Sequence, residues 1–359
     1  MKWHVLVNPE LEETASQEIS EILKINSTHS KGIVKFEASK EEIINYAIHA
    51  QSIQRVLASV TSWKKEFNLD SLFPWEDFLN DNISCKIEVE GVKGQDNRNV
   101  ISRQVLDELS SLLKKKNISL KLDSKKPDVL IIIYFDGEEY FAGIDITGKD
   151  LSSRDYRVFP HPASFKGDSA YYFVRFSKFQ RGEKILIGLM RDGMLAIEAV
   201  LFSKEAPVYL NTAKWSFWKF PGMVRISISE YIFEESSVQS SKVEAFDQST
   251  QNFTATRKNA TIAGVKNLME IHKFSLEELD VKFAEGEFDR LIFHVTKKDE
   301  ATLNEIYYQA KYLLRKGGTL LFIGRDTWEL TISDRFSLVK EGFMRKGDNV
   351  HKCWLLEKN

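Results

Sequence analysis

Cysteine is scarce: Cys85 and Cys353 are the two in 359 residues, far apart, so neither a disulfide framework nor a cysteine-built zinc site is expected. A reducing compartment, the cytoplasm, fits that usage. No run comes near the roughly eighteen apolar residues that a membrane-spanning helix needs, and residues 1–9 have no cationic segment leading into a long apolar one. Neither membrane spanning nor secretion is expected. An excess of charge of one sign is missing too: 50 Lys and Arg residues face 52 Asp and Glu residues, a formal charge of -2. Any polyanion must therefore be met by a local patch rather than by bulk basicity. The motifs H-E-x-x-H, paired C-x-x-C and G-x-S-x-G are absent, and the G-x-x-x-x-G-K match at 143–149 is followed by Asp150 rather than the Ser or Thr that completes a P-loop, which removes metalloprotease, zinc-module, P-loop and serine-hydrolase chemistry. No metal is expected.

What is present is apolar residue enough, 43% of the chain, to fill the cores of about two or three domains. Residues 3–7 form a short apolar run, and a helical stripe follows through Leu11, Ala15, Ile19, Ile22 and Leu23. Residues 31–37 alternate as a strand, and residues 41–60 place Ile44, Ile48, Val56 and Leu57 at helical spacing, so the first unit reads βαβα. The polar stretch 68–82, with Pro74, reads as a connector and sets a boundary near 68. Residues 84–90 alternate again, and a helix capped near Asn97 or Asn99 buries Ile101, Val105, Leu109 and Leu112. The continuous apolar run 129–134 suits a strand covered on both faces, and Asp136-Gly137 turns it into 139–145. This second α/β unit ends near 150.

From 180 onward strands and helices alternate as in a parallel sheet. Strands are expected at 185–188, 242–247, 289–294, 319–323 and 351–357, with helices after the first, around 254–263 and up to Leu314. The result is a doubly wound sheet with a C-terminal hairpin. Residues 201–241 follow no period, and their aromatics, Trp215, Phe217, Trp218 and Phe220, read as core or as a lid over the sheet.

Several segments share one resemblance. The run Gly143-Ile144-Asp145-Ile146-Thr147-Gly148-Lys149-Asp150-Leu151-Ser152-Ser153-Arg154-Asp155-Tyr156-Arg157 is close to D-T-x-G-x-x-L-x-x-R-x-Y-R, and His161-Pro162-Ala163 follows it as expected. Pro9-Glu10-Leu11-Glu12 is similar to P-G-L-E, with Glu10 in place of glycine, and residues 31–36 continue the likeness. Arg257-Lys258-Asn259-Ala260-Thr261-Ile262-Ala263-Gly264-Val265 is similar to A-R-x-N-A-x-x-A-G-V. Taken together, nearly the whole chain resembles the THUMP-containing RNA methyltransferases that modify the exocyclic amine of guanine in transfer or ribosomal RNA. The resemblance implies an α/β protein with an N-terminal ferredoxin-like domain (1–68), a THUMP domain (69–152), a linker with a helix (153–182) and a Rossmann-like class I methyltransferase sheet (183–359).

The same resemblance implies S-adenosylmethionine as cofactor, and here the chain departs from the family. In place of D-P-x-C-G-S-G-T it has Ile187, Gly188, Leu189, Met190, Arg191, Asp192, Gly193 and Met194, of which Gly193 alone is retained. A cofactor turn of this kind needs a carboxylate and small residues that let the backbone approach; Ile187 is apolar and Arg191 is bulky. Asp247 stands at the second strand end, where related sheets place an acid on ribose hydroxyls. Gly193 and Asp247 are thus the remnant cofactor set. After the third strand, where an acid would face adenine, stand Phe274 and Ser275. In place of N-P-P-Y the chain has His294-Val295-Thr296-Lys297, so His294 occupies the position of the catalytic Asn. A lone His at a strand end reads as structural, because a base without an oriented amine and methyl donor contributes little. Neither cysteine lies where a cysteine-nucleophile methylase would need it.

On the RNA side, Lys93, Arg98, Arg103 and the run Lys114-Lys115-Lys116 can reach phosphates, although acids are equally frequent around them. Arg154 and Arg157 either join that set or, with Tyr156, brace the joint between domains. The expected RNA-binding residues are Lys93, Arg98, Arg103, Lys115, Arg154 and Arg157. The functional expectation is an RNA-binding protein, with transfer RNA as partner, that no longer methylates and acts as a scaffold or as a protein partner of an active enzyme. The alternatives are an active S-adenosylmethionine-dependent transfer-RNA guanine amino-methyltransferase and a protein-binding scaffold with no RNA role.

Overall fold

In the computed structural model, which describes residues 1–223, 241–347 and 349–359, the chain is divided between two units. The first takes Met1–Leu151 and the described residues from Tyr209 to Met223; the second takes Ser152–Val208 and the described residues from Ser241 to Asn359.

Among its described residues, the first unit is an eight-stranded sheet with three α-helices. Its elements are β1 (Lys2–Val7), α1 (Glu12–Leu23), β2 (Thr28–Ser30), β3 (Ile33–Glu37), α2 (Lys40–His49), β4 (Ile53–Trp63), β5 (Ser84–Glu90), α3 (Gln95–Lys115), β6 (Lys121–Leu122), β7 (Val129–Phe135) and β8 (Tyr140–Asp145). Strand order is β2-β3-β1-β4-β8-β7-β5-β6. The expected boundary near 68 falls inside this continuous sheet, because β4 pairs with β8 through Leu57 and Asp145. Val56 and Leu57 belong to a strand, not to the helix their spacing suggested. The Glu18 carboxylate of α1 accepts the backbone N–H groups of Gln51 (2.8 Å) and Ser52 (3.1 Å), which ends α2 and turns the chain into β4. The expected connector at 68–82 is instead core: Phe73, Trp75, Phe78 and Leu79 are buried. Helix α3 begins at Gln95, ahead of the expected caps, with no side-chain cap at Gly94, and buries Val105, Leu109 and Leu113 rather than Leu112.

The motif around 143–148 closes this sheet. Asp145 is fully buried and accepts from Arg55 Nη1 (2.8 Å) and from the Thr147 N–H (2.8 Å) and hydroxyl (2.9 Å). Residues 209–223 are stitched to the same unit by Phe217 N to Ile146 O (2.9 Å) and Lys219 Nζ to Asp128 (2.6 Å). Trp215, Phe217 and Phe220 are buried there, the core alternative for these aromatics. The rest of the aperiodic stretch, 224–240, lies outside the described residues.

The second unit holds α4 (Gly167–Phe176), β9 (Lys184–Gly188), α5 (Met194–Lys204), β10 (Lys242–Phe246), α6 (Thr250–Ile262), β11 (Met269–His272), α7 (Leu279–Lys282), β12 (Phe288–His294), α8 (Glu300–Leu313), β13 (Leu314–Arg325), β14 (Phe336–Lys346) and β15 (Asn349–Lys358). Strand order is β11-β10-β9-β12-β13-β15-β14. The first five are parallel, and β13, β15 and β14 pair antiparallel. The apolar runs at 185–187 and 291–293 are buried as strands covered on both faces should be. Helix α6 starts four residues before the expected Thr254, because the Ser249 hydroxyl caps it by accepting from Asn252 N. No described helix is long and apolar enough to cross a membrane.

Candidate functional site

The parallel order reverses direction beside β9, and ligands of open α/β sheets bind at such a point, outside the carboxyl ends of the strands. The turn that follows β9 has an unusual backbone: Leu189 (φ 55°), Arg191 (φ 54°) and Gly193 (φ 83°) are all left-handed. For the two non-glycine residues this strain is held in place by surrounding bonds. Met190 N donates to Phe246 O (3.2 Å), and Gly193 N to Met190 O (2.8 Å). Arg191 N donates to Asp247 Oδ2 (3.2 Å), and Arg191 O accepts from the Thr256 hydroxyl (3.1 Å). The Arg191 guanidinium folds back over the strand ends, donating from Nη1 to Leu189 O (2.9 Å) and from Nη2 to His294 O (2.8 Å). It thereby ties the end of β9 to the end of β12. The residue is 8% exposed, and burial pulls its pKa below the ordinary arginine value while Asp247 and Asp192 act in the other direction.

Both residues expected as a cofactor remnant, Gly193 and Asp247, have work in the fold. A Cβ at Gly193 would stand 2.6 Å from the Thr256 methyl, and its φ is positive, so this glycine is required by the turn itself. Asp247 is buried, and its carboxylate accepts Ser249 N (2.9 Å), Asn252 Nδ2 (2.9 Å) and Arg191 N (3.2 Å).

Arg154 and Arg157, expected either in the RNA set or at a joint between domains, are each paired with a carboxylate of the second unit itself. The Arg154 side chain is 0% exposed; its Nε lies 2.6 Å from Glu198 Oε1, which also accepts the Tyr156 hydroxyl at 2.6 Å. Arg157 Nε donates to Asp192 Oδ2 at 3.0 Å, and His161 N donates to the same oxygen at 2.9 Å. Glu198, Asp192 and Asn259 were not singled out in the sequence. Glu198 carried a signal, being the one acid in a helix, MLAIEAVLFSK, that is apolar around it from Met194 to Phe202; a buried carboxylate there demands a cation.

His294 is 3% exposed. Its ring lies 4.5 Å from that of Phe165 and 5.7 Å from that of His351, centroid to centroid. Burial, and after it the Arg191 cation, holds its pKa well below the usual histidine value. Phe274 stacks on Phe246 with centroids 5.1 Å apart, filling the third strand end with aromatic core. A cavity of about 410 Å³ nevertheless remains at the strand ends, lined by Leu189 and Arg191 after β9, Gln248 after β10, Glu277 after β11 and Lys297 after β12. Sequence reading missed Glu277, because it lies in a short helical turn, Leu276–Glu278, beyond the end of β11 at His272. Burial pushes both thiols, Cys85 and Cys353, up to about 12, which disfavours thiolate chemistry.

In the first unit, Lys93, Arg103 and Lys115 are exposed. Arg98 is half-buried and donates to Gln95 Oε1 at 2.9 Å, while Lys116 is paired with Glu76 at 2.7 Å. Arg98 and Arg103 are about 140° apart around α3 at 3.6 residues per turn, so the structure does not gather them on one stripe.

A five-stranded parallel sheet extended by an antiparallel pair, with a turn and helix after its central strand, is a Rossmann-like methyltransferase fold. Solved structures agree in fold: TrmN from Thermus thermophilus superposes with a TM-score of 0.73 at 18% identity over 100% of both chains. A putative methyltransferase complexed with SAH gives 0.74 at 16% identity over 99% of this chain and 97% of its own. Residues 154–325 match the UPF0020 family, described as an RMKL-like methyltransferase domain, and the chain is similar in sequence to two transfer-RNA guanine-N2 methyltransferases. A tRNA (guanine(6)-N2)-methyltransferase of Methanocaldococcus jannaschii is 25% identical over 309 residues, covering 80% of this chain and 79% of the relative. One of Archaeoglobus fulgidus is 21% identical over 309 residues, covering 81% and 73%.

Proposed function

We propose that this protein binds RNA, transfer RNA in particular, through a THUMP domain within residues 69–152, and that its methyltransferase-fold unit transfers no methyl group. Arg191 carries the second half. S-adenosylmethionine is a sulfonium cation, and the residues present do not fit it. The close-approach position holds a cationic guanidinium clamped to two strand ends, the position of the acid near the end of β9 holds apolar Ile187, and Asp247 already accepts three protein donors. Releasing those bonds would leave buried acceptors unpaired. The RNA half draws on the relatives, which are named as transfer-RNA methyltransferases, and on exposed Lys93, Arg103 and Lys115, with half-buried Arg98 beside them.

Titration calorimetry of the full chain with S-adenosylmethionine tests this reading: no binding is expected, and micromolar affinity overturns it. The 410 Å³ cavity at the strand ends favours a second reading, an active guanine amino-methyltransferase. That reading expects methyl incorporation into a transfer-RNA pool, abolished in Asp247→Ala.

A further inference from the structure

Helix α6 has a charge pattern that the cofactor turn leaves unexplained. Between Asp247 and Glu270 the chain holds no acid, although Asp and Glu number 52 in its 359 residues. α6 lies wholly within that window and carries Arg257 and Lys258, both exposed. Each cation sits over a ring: Lys258 Nζ is 4.5 Å from the centroid of Phe159, and the Arg257 guanidinium is 5.5 Å from that of Phe253. Phe159 is 37% exposed. Its backbone is clamped at both polar atoms by the Asn259 amide of α6, N–H to Oδ1 at 3.0 Å and C=O from Nδ2 at 3.1 Å. The same Nδ2 donates to Asp192 O at 2.9 Å, so the clamp is fixed to the turn after β9. A ring held by its backbone while its side chain meets solvent can accept a flat partner with little loss of chain entropy. Cations beside an exposed ring are the elements from which single-stranded nucleic-acid surfaces are built, with the ring stacking on a base and the cations meeting phosphates.

We infer that the outer face of α6, with Phe159 beside it, is a second RNA-contacting surface, located on the methyltransferase-fold unit. An unpaired base stacks on Phe159, and Arg257 and Lys258 contact the neighbouring phosphates. The inference rests on the RNA-binding reading and adds a location that the THUMP cations do not supply.

The test is fluorescence anisotropy of the full chain against a labelled bulk transfer-RNA pool over a salt series. Arg257→Glu with Lys258→Glu is expected to weaken binding by about tenfold or more and to lower the slope of log K against log salt by about 1.4 to 1.8, as loss of two phosphate contacts requires. Phe159→Leu, which keeps apolar bulk but lacks a π face, is expected to weaken binding about fivefold with the slope unchanged, and Phe159→Trp to retain it. Unchanged affinity in either the charge variant or Phe159→Leu overturns the inference. If those two bind normally while Arg98→Glu with Arg103→Glu does not, the RNA reading stands and this surface alone is refuted. If the unaltered chain binds no RNA, the RNA reading fails and the inference with it.

Discussion

Replacing Arg191 separates two effects of opposite sign. Alanine removes the guanidinium bonds to Leu189 O and His294 O but keeps a side chain at φ 54°. Glycine removes the same bonds and relieves the backbone. Unsatisfied buried acceptors cost about 1–3 kcal/mol each, while a left-handed non-glycine residue costs about 1–2 kcal/mol. Arg191→Ala is therefore expected to lose about 2–4 kcal/mol in equilibrium urea unfolding, and Arg191→Gly about 1 kcal/mol less. Equal losses would mean that the turn is not strained. A second buried cation, Arg154, is paired with Glu198 where both side chains are 0% exposed. Removing one partner leaves a buried charge, so Glu198→Ala is expected to cost about 3–5 kcal/mol in thermal unfolding, whereas Arg154→Met with Glu198→Leu recovers most of it. If the double variant is no better than the single one, the pair is more than a charge match.

Between elements, α6 holds Phe159 of the segment 157–163 through one amide. Asn259 holds both backbone polar atoms of Phe159 and the carbonyl of Asp192. Asn259→Ala should speed hydrogen exchange at the Phe159 amide by about tenfold or more, while amides of β12 exchange as before; unchanged exchange at Phe159 would show that the segment is held by other contacts. Much of this architecture was legible in the sequence. The strands β9 and β12 contain the apolar runs 185–187 and 291–293, because strands covered on both faces need continuous apolar residues. Strand β4 was misread because Val56 and Leu57 fit a helical stripe over a short window, and the deciding bond is from Gln51 N to Glu18, remote in sequence. Residues 68–82 were misread because polar residues surround Phe73, Trp75 and Phe78, which are buried all the same. At the cleft, the departure from the cofactor turn was readable from Ile187 and Arg191 alone. The bridge from Arg191 to His294 O, 103 residues away, leaves no periodic trace, and neither does the carboxylate of Asp192 on which Arg157 and His161 converge.

Across the whole molecule, a net charge of -2 gives no long-range pull on RNA, so the proposed binding must rest on local cations and should weaken steeply with salt. The chain enters the first unit twice, through Met1–Leu151 and again from Tyr209, while the cleft at the strand ends of the second is composed within that unit alone. Cofactor binding is therefore a property that one titration of the full chain can read. Calorimetry with S-adenosylmethionine, run on protein whose RNA affinity has been verified in the same preparation, should give no binding tighter than about millimolar, an affinity near -4 kcal/mol. Saturable one-to-one binding in the micromolar range would mean that Arg191 yields to the cofactor, and that the cleft still belongs to an enzyme.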